Sequence, residues 1–164
     1  MNSEEPGRLD TDDVLVRTLE EKDLEAIVRI DAAAVGRRRQ EYYQDRVKAA
    51  LTDSRIHTSL VAELAPPGQD KTTVVGFLMS TNYYGEFGRP EPTAVIEALG
   101  VVPELRGHHV GEALMRQFVM NARALRVDRI RTEVAWNEFD LLRFFDKSGF
   151  VPSSRLVLER VLED

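Results

Sequence analysis

The stretch Ala94-Val95-Ile96-Glu97-Ala98-Leu99-Gly100-Val101-Val102-Pro103-Glu104-Leu105-Arg106-Gly107-His108-His109-Val110-Gly111-Glu112-Ala113-Leu114-Met115 decides the fold. Up to Val102 it is apolar and rich in β-branched residues, with Glu97 its only charge, and Pro103 closes the run. Such a run suits a strand covered on both faces. From Val110 on, Leu114, Phe118, Ala122 and Leu125 recur at helical spacing, which predicts a helix of about four turns. The grammar is therefore strand, tight loop, helix.

A helix start that follows a glycine-bearing turn can hold an anion. Its first N–H groups have no partner within the helix, and the macrodipole adds partial positive charge there. A pyrophosphate fits if the loop lets it approach the backbone, which Gly107 and Gly111 favour because they lack a Cβ. The loop matches neither G-x-x-x-x-G-K-[ST] nor G-x-G-x-x-G.

Outward from this stretch, the chain reads as one domain. It has 164 residues, long enough for a sizeable core. Residues 1–13 are expected to be a mobile polar tail without an apolar signal segment. Val14 to Arg17 predicts a first strand, Glu20 to Val35 an amphipathic helix ended by Gly36, and Gln40 to Leu51 a second helix with Tyr43, Val47, Ala50 and Leu51 as its stripe. Ile56 to Leu64 and Thr72 to Asn82 predict a hairpin around a turn at residues 66–70. An aromatic loop, Tyr83 to Pro92, leads to the central stretch. Asp128 to Trp136 predicts a fifth strand, Glu138 to Ser148 a helix ended by Gly149, and Arg155 to Leu162 a last strand. The pattern β-α-α-β-β-β-α-β-α-β is that of an α/β domain with a mixed sheet.

Composition removes several classes of function. With no cysteine, disulfides, thiolate catalysis and cysteine metal sites are out. A formal net charge of -6 argues against general nucleic-acid binding, which favours a basic face. No apolar run approaches the length of a membrane span, and a cytoplasmic location is the default expectation. His108, His109 and Glu112 have metal-like helical spacing, but two ligand types on one turn are a weak signal without a further partner, and no metal is expected.

The loop resembles the acyl-CoA loop of the GNAT superfamily of N-acetyltransferases. That family's signature, Q/R-x-x-G-x-G/A after a strand ending V-x-P-E, is similar to Val101-Val102-Pro103-Glu104-Leu105-Arg106-Gly107-His108-His109-Val110-Gly111. Arg106 and Gly111 match its ends, and His109 stands at the middle glycine. Asn137 to Phe150 resembles the family block N-x(7)-Y-x-K-x-G-F, with Phe145 in place of the tyrosine. Val74-Val75-Gly76-Phe77-Leu78 resembles the family's third strand. The likeness runs from about Val14 to Leu162, so the expectation is a single acyltransferase domain over residues 14–164, a mostly antiparallel mixed sheet flanked by helices, its central fourth and fifth strands splayed.

The resemblance implies acetyl-CoA as co-substrate and a primary amine as acceptor, on a small molecule, a peptide or a protein. It implies pantetheine against the fourth strand near Leu99, Gly100 and Val101, and pyrophosphate against Arg106, Gly107, His108, His109, Val110, Gly111, Glu112 and Ala113. Asn137 and Phe145 are further cofactor candidates, and Asn137 is also a candidate helix cap. With no cysteine, direct attack in a ternary complex is expected. Glu97 leads as general base, since a carboxylate buried without a cation would be pushed up towards neutrality. Alternatively it pairs with Arg129 or Arg131. Phe145 cannot donate a proton, which leaves Tyr83, Tyr84 or water. Arg37 and Arg38, in the run Arg37-Arg38-Arg39, resemble part of the acceptor wall and could hold an acceptor carboxylate; Tyr83, Tyr84 and Phe87 could line the same pocket. A non-catalytic acyl-CoA binding module is the alternative, and homodimerisation is open.

Overall fold

The structure is a computed structural model that describes residues 13–52, 58–65 and 70–162. The expected tail at residues 1–12 and most of the turn at 66–70 lie outside the described residues, as do the first residues of the expected second strand. The chain divides into two compact units, residues 1–133 and 134–164.

The first unit is a five-stranded sheet in sequential order. Its strands are β1 (Leu15–Thr18), β2 (Leu60–Leu64), β3 (Thr73–Tyr83), β4 (Thr93–Val101) and β5 (Arg129–Thr132). The first three pairings are antiparallel; β4 and β5 run parallel. Its helices are α1 (Leu24–Val35), α2 (Gln40–Thr52) and α3 (Val110–Ala124). A short 3-10 turn, Glu21–Asp23, precedes α1, so the predicted first helix begins a turn late. Gly36 ends α1 in the left-handed region at φ 75°, as a helix-terminating glycine should.

The alternation of β3 sorts the helices onto two faces. Gly76 faces α3: a Cβ there would lie 2.9 Å from Val110 Cγ1 and 3.2 Å from Leu114 Cδ1. Its neighbour Phe77 points the other way and meets Tyr43 of α2 edge-on at 5.8 Å. On that side Ile27, Val28, Ile30, Tyr43, Val47, Val61, Phe77 and Met79 form one buried cluster. Gly100 is obligatory for this packing, since a Cβ would meet Phe77 Cε1 at 2.6 Å and Ile30 Cγ2 at 3.1 Å.

The second unit holds α4 (Phe139–Lys147). Phe145 is buried in it, edge-on to Phe144 at 5.4 Å and to Phe150 at 5.0 Å. Gly149 ends the helix at φ 84°, and the Phe150 N–H donates to the Phe145 carbonyl. The expected last strand is not formed. Residues 155–162 have no ladder, and Leu156, Leu158, Val161 and Leu162 are exposed. An alternating pattern suits a strand with one buried face but does not supply a partner, and without a paired neighbour the segment has no ladder to join.

Candidate active site

The central site is a fork in the sheet. Pairing between β4 and β5 runs from Thr93↔Arg129 to Ile96↔Thr132 and stops there. Strand β5 ends, while β4 continues five residues further, from Glu97 to Val101. The Thr132 hydroxyl donates to the Ile96 carbonyl at 3.0 Å and closes the crotch. Beyond it, among the described residues, β4 pairs with β3 alone. The Val102 N–H donates to the Val75 carbonyl, and Gly76 pairs with Val101, Leu78 with Leu99. Antiparallel ladders alternate inward and outward pairs. The N–H and C=O groups of Leu99 and Val101 therefore point away from β3, into the fork.

Glu97 sits at the crotch, and a bulge puts it there. Met79 pairs with Ala98 and Ser80 with Ile96, so Glu97 is the extra residue of β4. A bulge re-aims a side chain and breaks the period of two. Simple alternation would group Glu97 with Leu99 and Val101. Instead Glu97 reaches α2, where Ala98 also packs against the α1–α2 cluster. There Arg46 Nη1 donates to Glu97 Oε2 at 2.8 Å. The partner is thus neither Arg129 nor Arg131. The premise of a carboxylate without a cation does not hold.

Aromatic rings surround the pair. The Arg46 guanidinium stands 5.4 Å from the centre of the Tyr42 ring, a favourable cation–π distance. Burial works against the charge on Arg46, but Glu97 and Tyr42 hold its proton more firmly than usual. At the end of β3, burial pushes the Tyr83 phenol up, helped by the negative charges of Glu97 and Glu86. Arg131 donates to Glu86 at 3.2 Å and lies 5.9 Å from the centre of the Phe87 ring. Tyr84 is exposed.

The three arginines between α1 and α2 have three different settings. Arg39 grips Asp31 with Nε at 2.8 Å and Nη2 at 2.5 Å, and the buried Tyr43 hydroxyl donates to the same carboxylate at 2.9 Å. Arg38 bonds both Glu25 oxygens, and Arg37 is exposed. Of the predicted acceptor residues, Tyr83 is the one whose electrostatics join it to Glu97. Arg46 was not singled out by the sequence. Its one local signal is the spacing Tyr42/Arg46 at i and i+4, and its partner lies 51 residues away.

Past the fork, Pro103 to Leu105 form a 3-10 turn and the loop enters α3 at Val110. Gly107 is left-handed at φ 79° and His109, the first residue before the helix, at φ 66°. The position that the family fills with glycine is therefore one that glycine adopts freely; here a histidine takes it. The His109 imidazole is 2.6 Å from Glu112 Oε2. Among the described residues no backbone carbonyl accepts from the N–H groups of Val110, Gly111 or Glu112. These donors suit a pyrophosphate. Asn137 and Phe145 belong to the second unit. Asn137 lies in the turn before α4, whose cap position is Glu138 rather than Asn137. No group of three or more His, Asp or Glu among the described residues is arranged to hold a metal ion, and no described helix is long and apolar enough to cross a membrane.

The profile of the acetyltransferase (GNAT) family matches residues 24–150. No curated protein matches the chain in sequence. Among solved structures, an aminoglycoside N-acetyltransferase AAC(6')-Iy in complex with CoA superposes with a TM-score of 0.73 at 14% identity, covering 90% of this chain and 94% of its own. An aminoglycoside 6'-N-acetyltransferase from Acinetobacter baumannii gives 0.72 at 15%, covering 92% and 99%. Ard1 from Thermoplasma volcanium gives 0.69 at 25%, covering 87% and 85%. At these identities the two aminoglycoside enzymes speak for the fold alone.

Proposed function

Because the chain belongs to the GNAT acetyltransferase family, we propose that it moves an acetyl group from acetyl-CoA to a primary amine, by direct attack within a ternary complex. The observation that carries this reading is the fork: β4 outruns β5 and Glu97 bulges at the crotch. Acetyl-CoA supplies a thioester whose carbonyl carbon is open to attack. The chain's own groups do the rest. Outward backbone of Leu99 and Val101 suits the amides of pantetheine. The N–H groups of Val110, Gly111 and Glu112, approached over Gly107, suit the pyrophosphate. Glu97 takes the amine's proton, directly or through one water. Tyr83 holds its proton at neutral pH, since burial and two nearby carboxylates push it up; it is the better placed of the two tyrosines to protonate a leaving thiolate. Holding both substrates in one fork supplies the entropic part of the rate.

One observation favours a second reading, an acyl-CoA binding module without turnover: Arg46 already occupies Glu97. Calorimetry with acetyl-CoA and thiol release over an amine panel separate the two. In the catalytic reading, Glu97→Gln lowers turnover at pH 7 roughly 10- to 1,000-fold and leaves acetyl-CoA affinity nearly unchanged. The defect shrinks as pH rises, because more of the amine is already deprotonated. Wild-type turnover in that variant would reassign Glu97 to structure. Gly111→Asp places a like charge in the pyrophosphate loop; unchanged acetyl-CoA affinity there would sink the loop assignment.

A further inference from the structure

We infer that the acceptor carries a carboxylate beside its amine, an α-amino acid being the simplest case, and that the Arg46–Glu97 pair recognises both charges at once. This rests on the fork being the transfer site. The pair is unsaturated. Arg46 gives Glu97 one N–H to one oxygen, whereas a guanidinium and a carboxylate can bond in two parallel contacts. Arg46 is also half exposed, laid against the Tyr42 ring and hydrogen-bonded by the Tyr42 side chain, which fixes its position while leaving part of its fork open to a further anion.

An acceptor ammonium bound for Glu97 meets this guanidinium first. A plain amine would have to displace it and leave Arg46 without an anion. A polycation would add repulsion between like charges. An amino acid instead exchanges one ion pair for two: its ammonium takes Glu97 and its carboxylate takes Arg46. Arginine suits the second contact because its planar fork matches a carboxylate. Of the other arginines on the α1–α2 layer, Arg39 is held by Asp31 and Arg38 by Glu25; Arg131, at the end of β5, bonds Glu86 rather than Glu97.

The test compares L-amino acids with their own carboxamides as acceptors for the full chain. The carboxamide keeps the shape and loses the charge. Its amine is less basic, so chemistry alone favours the amide, and a preference for the acid reports recognition. The expected result is at least one amino acid preferred over its carboxamide by about tenfold or more in kcat/KM, expressed mainly in KM. Arg46→Gln collapses that preference to within about twofold, and Arg46→Lys keeps part of it; far-UV circular dichroism checks that both variants are folded. No amino acid outperforming its amide, or a preference that survives Arg46→Gln, overturns the inference. If no acceptor is turned over, calorimetry of the same amino acids on the CoA-saturated chain decides. Binding that needs Arg46 keeps the inference while the catalytic reading falls, and absence of binding sinks the inference.

Discussion

Two arginine–carboxylate pairs lie on the same helical layer, and they differ in how completely they are used. At Asp31 the carboxylate takes two bonds from Arg39 and a third from the buried Tyr43 hydroxyl. Burial and the bond to Asp31 push the Tyr43 phenol well up, and the same carboxylate holds the Arg39 proton more firmly than usual. At Glu97 the carboxylate takes one bond, from an arginine that solvent reaches. The first site ties the end of α1 to α2, with its carboxylate buried and bonded three times. The second has the same chemistry with capacity left over, at a fork in the sheet. Saturation, rather than residue type, separates structural pair from candidate functional pair.

The sharpest way to break this contrast is Asp31→Ala. It strands a buried hydroxyl and a guanidinium together. Removing one partner of a buried pair costs several kcal/mol; with Arg39 partly in water, a loss of about 3 kcal/mol is expected. Urea denaturation measures it. Turnover per folded molecule should stay near wild type. A variant with unchanged stability would erase the distinction between the two pairs.

A second saturated site sharpens it through pH. Arg17 bonds Asp23 twice, at 2.8 Å each, and Glu63 as well. Burial pushes the Asp23 carboxyl up, but bonds from Arg17 and from the Glu20 N–H outweigh it and hold the carboxyl below its usual range. A depressed folded value means stability that is present above the unfolded value, about 3.9, and lost as pH falls through the folded one. Asp23→Asn is expected to cost about 2 kcal/mol at pH 7. It should also flatten the decline in stability below about pH 4. Parallel acid limbs for variant and wild type would remove the charge from this account.

Most of the scaffold was legible in the sequence because its signals are local. Glycines end α1 and α4, apolar periodicity marks α3, and the run to Val101 marks β4. The fork was legible only by resemblance. Its centre is hidden from a period-two pattern, which cannot show the bulge at Glu97 that the pairing with Met79 and Ser80 sets, and the Arg46 partner replaces the expected Arg129 or Arg131. Arg46 was missed for the same reason, since its meaning lies in a partner far along the chain. In the run Arg37-Arg38-Arg39 the sequence shows three like residues, and only packing tells that Arg39 is held on the buried Asp31 while Arg37 is exposed. The last strand failed because alternation in residues 155–162 says which side chains would face inward but not what they would face.

The smallest expected effect is also the one that bears most directly on the comparison. Arg46→Gln removes the unsaturated pair at Glu97. The lost bond is single, and the guanidinium already meets water, so its contribution resembles that of a surface pair, about 0 to 1 kcal/mol. Its stacking on Tyr42 adds at most a comparable amount. The Glu97 side chain keeps partial exposure, 17%, and so is not left as a fully buried charge. The expected change in unfolding free energy is therefore below about 1 kcal/mol, against about 3 kcal/mol for the saturated pair. Urea denaturation of the two variants side by side gives the ratio. An Arg46→Gln loss as large as that of Asp31→Ala would mean that Arg46 is committed to holding α2 on the sheet. A small loss leaves the guanidinium free to exchange its partner, which is the property an acceptor site needs.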